Sequence, residues 1–298
     1  MAKASRSALR TRLQHRIEVI LLTSVIFLVR LIPVDAASAA MGFVWQKIAP
    51  LTARHKRALE HLARALPEAS KAEREKIARG MWNNLGRVAA ETFFIDRLIS
   101  DDARFVLDAD GLTNEVLKTG KACIVVSLHT GNWEMCVRPI TRQGHEVTGV
   151  YQALKNPNAD KIVRDLRKDL YKGGLYSKSH ETARKLISTL KKGGIVGFMA
   201  DLRERRGIKV PFFGRPAYAN PVPASLARSA GVPIIVGRVI RKRGARFLVE
   251  GRGLKVPVTD DRKADIAQAT AEMHRIFEAW IRERPEQWMW IHRKWADA

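Results

Sequence analysis

Cysteine is nearly absent from this chain. Only Cys123 and Cys136 occur in 298 residues, and neither has metal-ligand spacing. Two such thiols exclude a disulfide framework and suit a reducing, cytoplasmic compartment, where they read as small buried apolar side chains. Acid is also scarce, with 30 Asp and Glu against 53 Lys and Arg, a net charge of +23. That excess calls for an anionic partner: nucleic acid, an acidic membrane, or an acidic or phosphorylated molecule. Nucleotide and metalloprotease signatures are missing: there is no GxxxxGK followed by Ser or Thr, no GxGxxG and no HExxH. The GxSxG elbow of serine hydrolases is missing too, as is any zinc-finger or RNP-like pattern, so a nucleic-acid partner loses ground. A long uninterrupted apolar run is lacking as well. Residues 17–33 are strongly apolar but carry Glu18 and Arg30. The run is slightly short for a span, and no small-residue cleavage site follows it.

What is present divides the chain near residue 50. Residues 1–16 are basic, with Lys3, Arg6, Arg10, Arg12 and Arg16, and two apolar stretches meet at Pro33. We read residues 1–50 as a hydrophobic membrane-anchoring helical segment, as a hairpin, a single span or an interfacial helix. Residues 51–298 read as the catalytic unit. Helices are expected over 52–66 and 70–100, the second opened by a Ser70–Glu73 capping box. Glu91 stands out on the apolar face of that helix.

From about residue 104 strands and helices alternate. The strand candidates are 122–128, 145–151, 194–200, 233–240 and 246–252, with the last two forming an antiparallel hairpin that turns near Arg243 and Gly244. Helix candidates lie at 133–142, 158–171, 180–192, 222–230 and 262–282. This order implies an α/β fold with a mostly parallel central sheet flanked by helices. Chemistry in such sheets collects at the carboxyl ends of strands.

The spacing His-x4-acid occurs three times: His55 with Glu60, His129 with Glu134, and His292 with Asp297. The first lies in a helical pattern, where five residues turn by roughly 500° and the side chains diverge. The third is near a terminus. Only His129 and Glu134 straddle a strand end and a Gly131-Asn132 turn. An imidazole there, with a carboxylate on its far nitrogen, is a candidate general base with its orienter. Asp201 ends another strand candidate and so shares the crevice. Asn156-Pro157 opens a helix that carries Arg164 and Arg167, and Arg167 is a candidate for steadying an oxyanion. Segment 201–217 combines Arg203, Arg205, Arg206 and Lys209 with Phe212, Phe213 and Gly214. It reads either as a headgroup clamp beside an acyl slot or as a charged loop before a core strand. In 285–295, three tryptophans with His292, Arg293 and Lys294 suit a membrane interface, or a terminal segment docking across the sheet.

Four blocks in order, SLHTGNWE (127–134), KNPN through Arg167, DLRERRGIKVPFFGRPA (201–217) and PEQWMWIHRKW (285–295), with NNLGRVAAETF (83–93), resemble the lauroyl/myristoyl acyltransferases of lipid A biosynthesis, within the lysophospholipid acyltransferase-like superfamily. After GRPA many relatives carry a Thr in a small-residue run, whereas this chain reads YANPVPAS. The resemblance implies an enzyme on the cytoplasmic side of a cell inner membrane. It would move a fatty acyl group from acyl carrier protein to a hydroxyl of a Kdo-bearing lipid A precursor. Anionic inner-membrane lipid would be a further partner, and no cofactor, metal or nucleic acid is expected. The implied catalytic set is His129, Glu134 and Arg167, with Asn132, Arg164, Asp201, Arg203, Arg206, Phe212 and Phe213 toward substrate. Alternatives are acylation of a lysophospholipid, an ornithine lipid or a phosphoinositide mannoside, or a noncatalytic basic membrane-surface or nucleic-acid-binding protein.

Overall fold

A computed structural model describes the backbone of residues 2–295 and the side chains of residues 10–295. The side chains of Lys3 and Arg6, and Asp297 of the third His-x4-acid pair, therefore lie outside the described residues. The chain opens on α1 (Ala2–Arg30) and α2 (Val34–Ile48), broken at Pro33. No helix among the described residues is long and apolar enough to cross a membrane, which corrects the expectation of a spanning anchor. The two charges inside the apolar run explain how α1 is used instead. Glu18 accepts from Asn156 Nδ2 at 2.9 Å, and Arg30 pairs with Asp96 at 2.7 Å. Both charges dock α1 against the body of the protein, while Ile20, Leu21, Phe27 and Leu28 on the same helix stay exposed.

Next come α3 (Ala53–Ala65), α4 (Lys71–Glu91) and α5 (Ile95–Ile99). The expected capping box at Ser70 and Glu73 is present on α4. Crossing of α2 over α4 depends on Gly86, where an added Cβ would lie 2.5 Å from Met41 O and 2.8 Å from the Trp45 side chain. This close approach sets Trp45 beside Trp82, ring centroids 6.4 Å apart.

The α/β part runs β1 (Phe105–Ala109), α6 (Gly111–Thr119), β2 (Cys123–Ser127), α7 (Arg138–Arg142), β3 (Val147–Tyr151), α8 (Pro157–Leu166), β4 (Leu175–Ser177), α9 (His180–Lys191) and β5 (Ile195–Met199). It continues through β6 (Ile208–Phe212), β7 (Arg215–Ala219), α10 (Val222–Ala230), β8 (Ile234–Arg241), β9 (Phe247–Leu254) and α11 (Arg262–Glu283). Seven strands form one sheet in the order β1-β9-β8-β2-β5-β3-β4. All neighbours are parallel except β8 and β9, the expected hairpin, which turns through Gly244 at φ 60°. Every residue of β2 is buried, as a continuous apolar run in a sheet covered on both faces should be. Cys123 lies in β2 and Cys136 beside it, and burial pushes their thiols up to about 12 and about 11. They are inert packing groups.

Two departures from the expected elements bear on the site residues. The helix opened by Asn156 ends at Leu166, and Arg167 caps it. Segment 208–219 is a separate antiparallel hairpin, β6–β7, turning through Phe213 and Gly214 at φ 52° and 66°. Two consecutive positive φ values match the twist of a two-residue hairpin. Phe213 is held in that conformation by its packing and by a bond from its N–H to Glu278.

Candidate active site

Sheet register builds the site. Strands β2 and β5 are parallel neighbours with Ser127 opposite Met199, and Ala200 N–H donates to Ser127 O at 2.9 Å. Two residues beyond each partner stand His129 and Asp201, so the register alone brings them side by side. Asp201 is fully buried and accepts three hydrogen bonds: from His129 Nδ1 at 2.8 Å, from the His129 backbone N–H at 2.9 Å and from Trp288 Nε1 at 2.8 Å. Burial opposes ionisation of Asp201. The charge of a protonated His129 and these three donors outweigh it and hold the carboxyl well below the usual range. An ionised carboxylate only accepts, so Nδ1 carries a proton, and in the neutral ring the lone pair is then on Nε2. Among the described residues Nε2 takes no hydrogen bond, and the His129 side chain keeps 14% exposure.

Asp201 thus occupies the orienting position that the sequence spacing gave to Glu134. A turn separates His129 from the short 3-10 helix (Trp133–Val137) that carries Glu134, and the carboxylate meets another partner. Both Glu134 oxygens accept from Arg167, from Nε at 2.9 Å and Nη2 at 2.6 Å. Burial alone would lower the Arg167 guanidinium, but Glu134 more than offsets it and raises it. This is a bidentate, charge-assisted pair, the stronger kind of ionic contact.

The pair opens onto a cleft of about 470 Å³. Trp45, Trp82, Leu85, Val88, Met289 and Ile291 make its apolar wall, with Trp133, His292, Arg54 and Arg57 alongside Glu134 and Arg167. His129 borders the cleft through its ring contacts with Trp133, centroids 5.0 Å apart, and His292, 6.4 Å apart. His292 is held below its ordinary value by burial, then by the charges of His129, Arg54 and Arg57.

The turn carrying His129 is fastened from three sides. Gly131 has φ 55°, and a Cβ there would fall 2.0 Å from Val239 O, so only glycine lets the turn pass over β8. Met289 N–H donates to His129 O at 3.2 Å and Gly131 N–H to Gln287 O at 3.2 Å, which ties the turn to the C-terminal segment. Beneath it lies a buried polar network. Glu91 accepts from Ser38 at 2.6 Å, Asn132 Nδ2 at 2.8 Å and both terminal nitrogens of Arg241. Arg241 Nε reaches Asn84 at 2.9 Å, and Asn84 in turn donates to Gly131 O at 2.9 Å. The odd acid on an apolar helix face is therefore the foundation of the turn that carries His129.

Several expected substrate contacts lie elsewhere. Asn132 is buried in that network and does not line the cleft. Arg164 is exposed on α8 beside the Tyr151–Asp160 contact. Arg203 stacks over Tyr218 at 5.7 Å, and Arg206 projects to solvent. Phe212 and Phe213 are packed among Trp288, Trp290 and Trp295, so this aromatic set is core and not an acyl slot. The same contacts show the tail docking across the molecule, with Trp295 Nε1 donating to Phe212 O at 3.0 Å. Arg54, Arg57, Trp45, Trp82 and His292 were not singled out as cleft residues. Arg54 and Arg57 sit in an ordinary basic helix pattern, and no spacing signal could have shown which face met the cleft.

An imidazole at a strand end, backed by a carboxylate and bordering an apolar cleft, can activate a hydroxyl beside an acyl chain. Residues 6–297 match the family model of bacterial lipid A biosynthesis acyltransferases, and the chain belongs to that family. It is 26% identical over 259 residues to the lipid A biosynthesis palmitoleoyltransferase of Escherichia coli (strain K12), covering 82% of this chain and 79% of that one. Against the lauroyltransferase of the same organism it is 28% identical over 247 residues, 78% and 76% of the two chains. It also matches the phosphatidylinositol mannoside acyltransferase of Mycobacterium tuberculosis (strain CDC 1551 / Oshkosh), at 26% over 183 residues, 60% and 56% of the two chains.

Proposed function

We propose that this enzyme transfers a fatty acyl group from acyl carrier protein to a hydroxyl of a Kdo-bearing lipid A precursor, at the cytoplasmic face of the inner membrane. The observation that carries this reading is the His129–Asp201 pair bordering the apolar cleft. His129 Nε2 takes the proton of the acceptor hydroxyl as its oxygen attacks the thioester carbonyl carbon. The new C–O bond forms, and charge collects on the carbonyl oxygen. Nη1 of Arg167, which the Glu134 pair leaves unbonded, donates to that oxyanion in this reading. The C–S bond then breaks, and His129 returns the proton to the departing thiolate. General base catalysis of this kind supplies about 10²–10⁴ in rate.

Membrane attachment in this reading is interfacial. The exposed apolar side chains of α1 and α2, among them Leu21, Phe27, Leu28, Phe43 and Ile48, enter the headgroup boundary without crossing it. The net charge of +23 favours both anionic lipid and an acidic carrier, so donor docking weakens as salt rises. The likeness to a phosphatidylinositol mannoside acyltransferase supports a second reading, with a mannosylated phospholipid as acceptor. Purified enzyme offered acyl carrier protein thioester and defined acceptors decides between them, alongside mass spectrometry of lipid A from cells with and without the gene. Lipid A of unchanged mass, with no transfer to the precursor in vitro, would remove the first reading.

A further inference from the structure

The cleft carries more positive charge than its chemistry uses. Its one acid, Glu134, is consumed by Arg167. That leaves Arg54 and Arg57, three residues apart on α3 and so on one helix face. Arg54 makes no hydrogen bond or ion pair among the described residues, and Arg57 makes only a long 3.5 Å contact to Ile291 O. Arginines that serve the architecture look different here. Arg228 is matched to Asp265, Arg238 to Glu250 and Arg241 to Glu91. The charge of Arg54 and Arg57 reaches into the cleft, since both depress the protonation of His292 on its wall.

The apolar side of the same mouth is equally unpartnered. Trp45 lines the cleft from α2, and Ile48 and Leu51, between it and α3, are exposed. An amphiphile entering here lays its chain against Trp45, Trp82, Leu85 and Val88 and leaves its polar end beside two guanidinium groups that pair with no carboxylate among the described residues. Paired guanidinium forks match the several oxygens of a phosphate.

We propose that Arg54 and Arg57 form a phosphate-binding subsite at the mouth of the cleft, which recognises a phosphate group on the acceptor lipid. From the proposed function this takes only that the cleft receives a lipid acceptor. It places headgroup recognition on α3 and not on the exposed arginines of the 203–209 loop.

Two experiments test it. Binding of dodecyl phosphate and of dodecanol, below micellar concentrations, is followed through the fluorescence of the cleft tryptophans. The wild type prefers the phosphate by about tenfold or more, a difference of about 1.4 kcal/mol. In Arg54→Gln/Arg57→Gln, checked for an unchanged melting temperature, that preference falls to about twofold or less while dodecanol binding is kept. Lys56→Gln, on the same helix, retains the wild-type preference. Equal binding of both probes by the wild type, or a preference that survives the double substitution, overturns the proposal whether or not the protein turns over. In the transfer assay the double variant raises the KM for a phosphorylated acceptor about tenfold or more, leaves kcat within about threefold, and leaves the KM for a phosphate-free acceptor unchanged. A rise confined to the donor KM assigns the arginines to a phosphate on the donor and overturns the assignment to the acceptor. Absence of any transfer by the wild type counts against the proposed function, and the binding result still decides the subsite.

Discussion

At the end of β5, Asp201 holds an imidazole; on the short 3-10 helix that follows the His129 turn, Glu134 holds a guanidinium. Both carboxylates are buried, both are bonded through each oxygen, and both belong to blocks that mark the family. Their partners separate their duties. Asp201 faces a ring whose far nitrogen is left unbonded, so in the proposed reaction it orients the base. Glu134 acts on a group that stays charged, so it fixes position and field. A carboxylate's role in this cleft follows from what it faces and not from its distance along the chain to the histidine.

That contrast can be broken at four points, from the largest effect to the smallest. His129→Ala, or Asp201→Asn, lowers kcat by about 10²–10⁴ with the fold intact, read by single-turnover transfer and circular dichroism. Retention of near-normal rate by Asp201→Asn would return the orienting role to another group. Glu91→Gln strips the partner from buried Arg241 and destabilises the protein by about 3–5 kcal/mol in urea melts. A loss of activity without that loss of stability would make Glu91 part of the chemistry. Glu134→Gln and Arg167→Gln each lower kcat by about 10²–10³, as removal of an oxyanion donor does. The double variant is no worse than either single one, because the two act as a unit. Additive losses would separate them.

The smallest effect lies behind Asp201. Lys294 is buried, 2.9 Å from His274 Nε2, and burial pushes its ammonium down to about 7. In the unfolded chain a lysine titrates near ~10.4. Between those values the unfolded chain holds the extra proton, so stability rises with pH from about 7 to about 10. Lys294→Met therefore stabilises the protein by about 1–3 kcal/mol at pH 7, and the gain shrinks toward pH 10. Melting temperatures across that range measure it. Asp201 shifts stability with pH in the same direction over a lower range, as a favourable contribution and not a penalty. Its depressed pKa contributes stability above the ordinary carboxylate range, and that contribution is lost as pH falls.

Much of the sheet was legible because apolar runs bounded by turn residues report buried strands directly. β2, β3, β5 and the β8–β9 hairpin fall where the sequence puts them. The edge strands β1 and β4 escaped notice, since they are short and mostly unburied and carry no such run. The crevice shared by His129 and Asp201 was legible from two strand ends. Their pairing was not, because it depends on the β2–β5 register, a property of two distant segments together. Spacing within one segment suggested Glu134 instead. Phe212 and Phe213 misled for a related reason: adjacent aromatics beside a glycine fit a slot and a tight hairpin equally, and only the tryptophans of residues 288–295 distinguish the two.

Trp288 gives its indole N–H to Asp201, and Met289 pins the carbonyl of His129. These contacts come from residues more than eighty positions after Asp201 and beyond the last strand of the sheet. A chain cut after α11 keeps every strand of the sheet and loses both of these fastenings of the His129–Asp201 pair.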